Sequence, residues 1–259
     1  MKNYMKYFVI ADPHGFFTIM RDTLITNGFD EDNPEHKLII CGDLMDRGKE
    51  ARKMQEYILS LLEKDKVVLI RGNHEDLMLD MINDIENDPF SIAYSHHASN
   101  RTLDTAFQLT GKRLRDLYDD AASISRAIAA TPFVRKIIPQ MLNYYETEHY
   151  VFVHGWIPYA IDPNEGYRAK NLQEATDTDW ANSRWENGMS LAIEYGVTIP
   201  DKTIVCGHWH TSFGHKLVGK IKNEFGTDED FSTFYADGII ALDACTSHSK
   251  RINCVVIDD

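Results

Sequence analysis

Three short apolar runs in the first seventy-five residues each stop at a polar side chain: "YFVIAD" at Asp12, "KLIICGD" at Asp43, and "KVVLIRGNHE" at Asn73 and His74. Runs this short and this rich in Val and Ile read as buried strands. Between the second and third lies "KEARKMQEYILSLLEKDK", where Ala51, Met54, Ile58, Leu61 and Leu62 recur at helical spacing. Strand, helix, strand is an α/β pattern with parallel strands. Ligands in such folds gather at the carboxyl ends of strands, where Asp12, Asp43 and Asn73 fall.

The pattern changes from residue 76 to about 142. "EDLMLDMINDIEN", "NRTLDTAFQLTG" and "LRDLYDDAASISRAIAATP" read as helices, with Ser99 or Asn100 as an N-cap and Gly111 as a stop. "NYYETEHYVFVHG" reads as a hairpin running into His154. Residues 160 to 200 are loop-rich, carrying "TDWANSRWENG" and a short helix to Tyr195. Strands resume with "KTIVCGHWH" and close with "GIIALDA" and "RINCVVID", separated by a polar turn at Ser247 to Lys250. With no internal repeat, low-complexity tract or linker, residues 1–259 read as one domain carrying a helical cap insertion at about 76–142.

Composition narrows the classes. No run of eighteen apolar residues is present, so no membrane span is expected. The first apolar run ends after about five residues, too short for the core of a signal peptide, and the cytoplasm is the expected location. Cys41, Cys206, Cys245 and Cys254 show no C-x-x-C pairing and sit in or beside apolar runs, as reduced structural thiols do. A formal charge of −13 works against nucleic-acid binding, which needs a basic face. It leaves phosphorylated substrates open, because a metal or a few arginines supply local positive charge.

The chemistry-bearing residues stand at strand ends. "ADPHG" offers Asp12 and His14, "GDLMDRG" offers Asp43, Asp46 and Arg47, and "GNHE" offers Asn73 and His74. "VHG" adds His154, and "GHWH" adds His208 and His210. Oxygen donors mixed with imidazoles suit Mn²⁺, Fe or Zn²⁺ better than Ca²⁺ or a thiolate metal. They are too many for one ion. A carboxylate shared by two sets of ligands is what a two-metal site needs, with ions about 3.5–4 Å apart.

This motif series resembles that of the calcineurin-like metallophosphoesterases, in order, across residues 7 to about 210. "GDLMDRG" and "RGNHE" look most like the phosphoprotein phosphatase branch, which includes bacterial serine/threonine phosphatases and symmetrical diadenosine tetraphosphatases. The resemblance implies a four-layer α-β-β-α sandwich of two mixed sheets and two divalent ions, Mn²⁺ first with Fe or Zn²⁺ as alternatives. It implies one ion held by Asp12, His14 and the bridging Asp43, and a second by Asp43, Asn73, His154 and His208. His210 departs from the branch, which has a proline at this place; in more distant branches a second histidine reaches the first metal. Here it either completes that site or is a solvated loop residue.

Two cations polarise phosphoryl oxygens and lower the pKa of a bridging water, so in-line attack needs no covalent intermediate. Arg47 suits bidentate contact with phosphate. The resemblance implies a second phosphate arginine, with Arg184 in "NSRWENG" the first candidate and Arg168 the second; Arg71 reads as a structural ion-pair partner. It also assigns His74, paired with Asp46, to the leaving oxygen as general acid, against the alternative of a scaffold role. The pair His96-His97 reads as exposed loop without carboxylate neighbours at ligand spacing. Asp179, Trp180 and Trp185 either frame the cleft or pack beneath a loop, and the run at 226–231 reads as a solvated turn.

A metal-free scaffold on the same fold would have lost ligand positions, and none is lost here. A nuclease would need a basic surface. Two enzymes remain: a phosphomonoesterase acting on phosphoserine or phosphothreonine in protein or a similar small phosphoester, and a symmetrical dinucleoside tetraphosphate hydrolase. The second needs a base-stacking aromatic, for which Trp156 in "VHGWIP" is the candidate; alternatively that ring closes the cleft. Oligomeric state has no signature in the chain.

Overall fold

The computed structural model describes residues 5–164 and 166–259. The first four residues, part of the stretch weighed above as a leader, lie outside them. The strands run in chain order as β1 (Lys6–Ile10), β2 (His36–Cys41), β3 (Val67–Ile70), β4 (Tyr145–Glu146), β5 (Tyr150–Phe152) and β6 (Tyr159–Asp162). They continue as β7 (Gly166–Ala169), β8 (Thr203–Cys206), β9 (Phe234–Ala236), β10 (Ile239–Ala241) and β11 (Cys254–Asp258).

The first sheet has the order β11-β1-β2-β3, with β1, β2 and β3 parallel and β11 antiparallel to β1. The second has the order β4-β5-β8-β10-β9, with a parallel centre and antiparallel edges. Strand alternation sorts the side chains by face. Tyr7, Val9, Ile39, Cys41, Val68 and Ile70 meet Phe152, Val205 and Leu242 between the sheets. Phe8, Ile10, Leu38, Ile40 and Leu69 face the other way, onto Met54, Ile58 and Leu61 of the helix Ala51–Glu63. Val151, Ile204 and Ile239 likewise face Trp180, Met189 and Leu191 of helices Asp177–Ser183 and Gly188–Ile193. The result is the expected α-β-β-α sandwich of two mixed sheets.

The segment read as a cap begins earlier than its sequence suggests, with helix Asn73–Asn87 opening inside "GNHE". Its later helices, including Thr102–Thr110 and Ala121–Ala129, share one apolar cluster with the first sheet through Leu103, Ala106, Ile124 and Ile128. They thicken that helical layer. The region from 160 to 200 holds a hairpin, β6 against β7, that its polar composition concealed. All four cysteines are free thiols. Among the described residues, no helix is long and apolar enough to cross a membrane.

Register fixes where the chemistry emerges. Ile10 pairs with Ile40 and Cys41 with Ile70, so Asp12, Asp43 and Asn73 leave the first sheet at one edge. In the second sheet Phe152 pairs with Val205 and Ala241 with Cys206, which brings His154, His208 and Asp243 out together.

Candidate metal centre

The turns after these strands are tight. Asp12, His14, Asp43, Asp46, Arg47 and His208 all have positive φ, between 47° and 75°. Left-handed backbone at a non-glycine residue costs on the order of 1 kcal/mol or more, and such strain concentrates where side chains must be aimed. Glycine supplies the close approaches. A Cβ at Gly207 would collide with the Asp12 carboxylate, and one at Gly42 (φ +83°) with the His154 ring.

Asp43 stands at the middle. Its Oδ2 lies 3.7 Å from His14 Nε2 and 3.7 Å from His74 Nε2, and its Oδ1 lies 3.3 Å from His154 Nε2. The donors form two groups sharing that carboxylate: His14, Asp43 and His74 on one side, Asp43, His154 and His208 on the other. Asn73 joins the second, its Oδ1 2.9 Å from His154 Nε2. Asp12 accepts the His208 backbone N–H on both oxygens, at 3.0 and 3.1 Å.

Each imidazole is aimed by its other nitrogen. His14 Nδ1 is 3.0 Å from the Met45 carbonyl, and His154 Nδ1 is 2.8 Å from the Cys41 carbonyl. The His208 ring hydrogen-bonds the Trp185 main chain. This is how proteins fix the tautomer and orientation of metal-ligating histidines.

Electrostatics separate the four imidazoles. Burial lowers His14, His154 and His208, the last down to about 3, so all three are neutral at ordinary pH. Burial pulls His74 the same way, but the Asp43 and Asp46 charges outweigh it and its proton is held above the ordinary range. Its Nδ1 lies 2.6 Å from Asp46 Oδ2, and the Arg47 Nη2 cation sits 3.4 Å from its Nε2. His74 therefore belongs to the geometry of one donor group while its charge environment suits a proton carrier. Burial also acts on the carboxylates. It raises Asp12, with the charges of Asp243 and Asp43 adding to it. On Asp43 burial pushes the same way, but the imidazoles gathered around it, His154, His74, His14 and His208, favour the carboxylate and hold the group below the ordinary carboxylate range. Several buried carboxylates among neutral imidazoles are a donor set that fits divalent cations.

Residues 5–212 match the family model described as calcineurin-like phosphoesterase. The chain belongs to that family. It is a metal-dependent phosphoester hydrolase, and the family implies a dinuclear metal site, for which the two groups around Asp43 are candidate donor sets. Among solved structures this phosphoesterase is similar to the cold-active protein-tyrosine phosphatase of a psychrophilic Shewanella species. The identity is 17%, over 99% of this chain and 76% of that one, with a TM-score of 0.53. It is also similar to a protein provisionally described as a diadenosine tetraphosphatase, at 14% identity over 98% of this chain and 90% of that one, with a TM-score of 0.50. Likeness at such identities bears on the fold alone. No curated protein matches the chain in sequence.

The phosphoesterase places its other expected site residues unevenly. Arg47 is exposed beside the centre. Arg184 is buried, with Nε 2.6 Å from Asp76 Oδ2 and Nη1 donating to Asn143 Oδ1 at 3.0 Å, and its charge reaches His154. Arg71 pairs with the same carboxylate, 2.5 Å from Asp76 Oδ1. The runner-up Arg168 lies on β7, in the separate hairpin. Trp156 is 1% exposed in the core of the second sheet, and its Nε1 donates to the Val197 carbonyl at 2.9 Å. It is not on a surface where a base could stack. Trp180 is also core, stacked on Tyr144, whereas Trp185 is 51% exposed and edge-on to His208. His210 lies outside both donor groups; its ring faces Phe225, and its Nδ1 is 3.8 Å from Glu224 Oε2. The His96-His97 pair does have a carboxylate, Asp84, 2.9 Å from His97 Nε2.

Several site residues escaped the sequence reading. Glu75 is fully buried and accepts the N–H groups of Gly72, Asp43 and Leu44, at 2.8, 3.1 and 3.0 Å. Thr102 and Thr105 reach in from their helix: Thr102 Oγ1 donates to Asp46 Oδ2 at 2.7 Å, and Thr105 Oγ1 accepts the Asp46 N–H at 3.0 Å. Asp243 is buried beside Asp12, its Oδ1 taking the Cys245 N–H at 2.7 Å. A signal for it exists, since "IIALD" is one more apolar run ending in aspartate.

Proposed function

We propose that this phosphoesterase hydrolyses phosphomonoesters, with phosphoserine or phosphothreonine in protein as the substrate class. The observation that carries the reading is the pairing of two donor groups around Asp43 with His74 held 2.6 Å from Asp46 and an exposed Arg47 alongside. Asp12, His14 and Asp43 would hold one ion, and Asp43, Asn73, His154 and His208 the other, with Mn²⁺ first among metals of this donor chemistry. Bound there, the ions supply Lewis-acid charge for the phosphoryl oxygens and acidify the attacking water. Arg47 takes phosphate oxygens through its paired N–H groups. His74 Nε2 gives a proton to the departing oxygen, while Asp46 fixes the ring through Nδ1 and stabilises its charge before transfer. Arg184, held by Asp76 and Asn143, adds positive charge near His154.

The dinucleoside tetraphosphate reading is supported by exposed Trp185 next to His208, which offers a surface to a base. Against it, Trp156 is spent in the core. The test is competition: Mn²⁺-loaded protein receives phosphothreonine peptide and diadenosine tetraphosphate together, with Asp43→Asn as the blank. Inorganic phosphate from the peptide as the main product supports the phosphomonoesterase. ADP as the main product overturns it in favour of symmetrical dinucleotide cleavage.

A further inference from the structure

Beside the donor groups opens a cleft of about 840 Å³. Trp185, in its lining, joins it to the centre: its ring centroid is 6.0 Å from that of His208. The charged lining consists of Arg71, Arg184, Asp76, Asp80 and Asp177. Both guanidinium groups are already committed to one carboxylate, at 2.5 Å and 2.6 Å from Asp76. Asp80 and Asp177 are exposed and have no cationic partner among the described residues. Three carboxylates thus face two guanidinium groups, in a protein whose formal charge is already −13.

Charge of this sign selects between leaving groups. A departing nucleoside diphosphate would carry several negative charges past Asp80 and Asp177 and find both arginines occupied. A peptide with a lysine or arginine near the phosphorylated residue would meet two unpaired carboxylates, with the flat Trp185 ring beside its aliphatic stem.

We propose that the cleft receives the leaving-group side of the substrate and selects for positive charge there, so that the preferred substrate is a phosphopeptide with a basic residue next to the phosphoresidue. This rests on the phosphomonoesterase reading above. It makes Asp80 and Asp177 specificity determinants that touch neither metal nor phosphate.

The experiment compares two phosphothreonine peptides, identical except for arginine or glutamate beside the phosphothreonine, with p-nitrophenyl phosphate as a substrate lacking flanking charge. Wild type and the double variant Asp80→Asn/Asp177→Asn are assayed metal-loaded, after matching their thermal midpoints. The wild type is expected to favour the arginine peptide by about fivefold in kcat/KM, the order that two exposed ion pairs supply. The preference should lie in KM and fall to near one in the double variant. Equal kcat/KM for both peptides in the wild type overturns the proposal, as does an unchanged preference in the variant; either leaves phosphomonoester hydrolysis standing. If neither peptide nor p-nitrophenyl phosphate is cleaved above the Asp43→Asn blank, the phosphomonoesterase reading falls and takes this proposal with it.

Discussion

Thr102→Val tests whether the helix Thr102–Thr110 does more than fill space. Asp46 Oδ2 is shared between His74 Nδ1 at 2.6 Å and Thr102 Oγ1 at 2.7 Å, while Oδ1 is buried with no partner. Valine keeps the volume and removes the hydroxyl, so one oxygen of a buried carboxylate retains a single donor. A hydrogen bond to a charged group contributes about 1.5–3 kcal/mol, and the variant should lose stability of that order. If about 1.4 kcal/mol of this registers His74 for proton delivery, the rate falls about tenfold wherever delivery matters. Delivery matters for an alkoxide leaving group, as from phosphothreonine, and little for p-nitrophenolate, which departs without a proton. Steady-state kinetics should therefore show kcat on the phosphothreonine peptide down about tenfold, and on p-nitrophenyl phosphate down less than about twofold. Metal content, measured on the same samples, should not change. An equal fall on both substrates would refute the argument and leave Thr102 as a packing residue. No fall on either would refute it more directly.

Three other perturbations follow from the same geometry. Trp156→Phe leaves the buried Val197 carbonyl without its donor and should cost about 1–2 kcal/mol in urea denaturation, with KM unchanged; raised KM at wild-type stability would instead put this ring at the substrate. Asp243→Asn removes a buried carboxyl group beside Asp12, one that burial raises to about 7, and should weaken metal retention about tenfold, read as bound metal after dialysis at limiting Mn²⁺; wild-type retention would exclude a role at the centre. Asp179, whose carboxylate pairs with Lys170 and accepts the N–H and hydroxyl of the N-cap Thr176 of the helix Asp177–Ser183, is held down to about 2 by those contacts. A depressed acid stabilises the fold above its ordinary value of 3.8 and loses that contribution as pH falls towards about 2. The difference in urea midpoint between wild type and Asp179→Asn should thus be flat above about pH 5 and close below it; a difference independent of pH would show that the charge is not what these contacts depend on.

The strand-end residues were legible because two local signals coincide there. An apolar run of four to six residues can only be a buried strand in this setting, and a polar residue just beyond it can only face the edge. That logic reached Asp12, Asp43, Asn73, His154 and His208, and the same pattern in "IIALD" holds Asp243. It could not reach Thr102 or Thr105, which sit 56 and 59 residues from Asp46 in the chain and meet it only because their helix packs on the first sheet. Nor could composition separate Trp180 from Trp185, since the first lies inside the helix Asp177–Ser183 and packs inward while the second lies in the turn beyond its end.

His210 shows most plainly where local reasoning stops. Alternation in extended backbone would put residues 208 and 210 on the same face, as a matched pair of ligands. The strand, however, ends at Cys206. His208 has φ +67°, the Trp209 N–H folds back onto the Gly207 carbonyl at 2.8 Å, and His210 becomes the N-cap of the helix Thr211–Leu217. Once the backbone reverses, the period of two no longer says where a side chain points. The turn that aims His208 at the centre, with its N–H on Asp12, is the same turn that swings His210 toward Glu224 and Phe225.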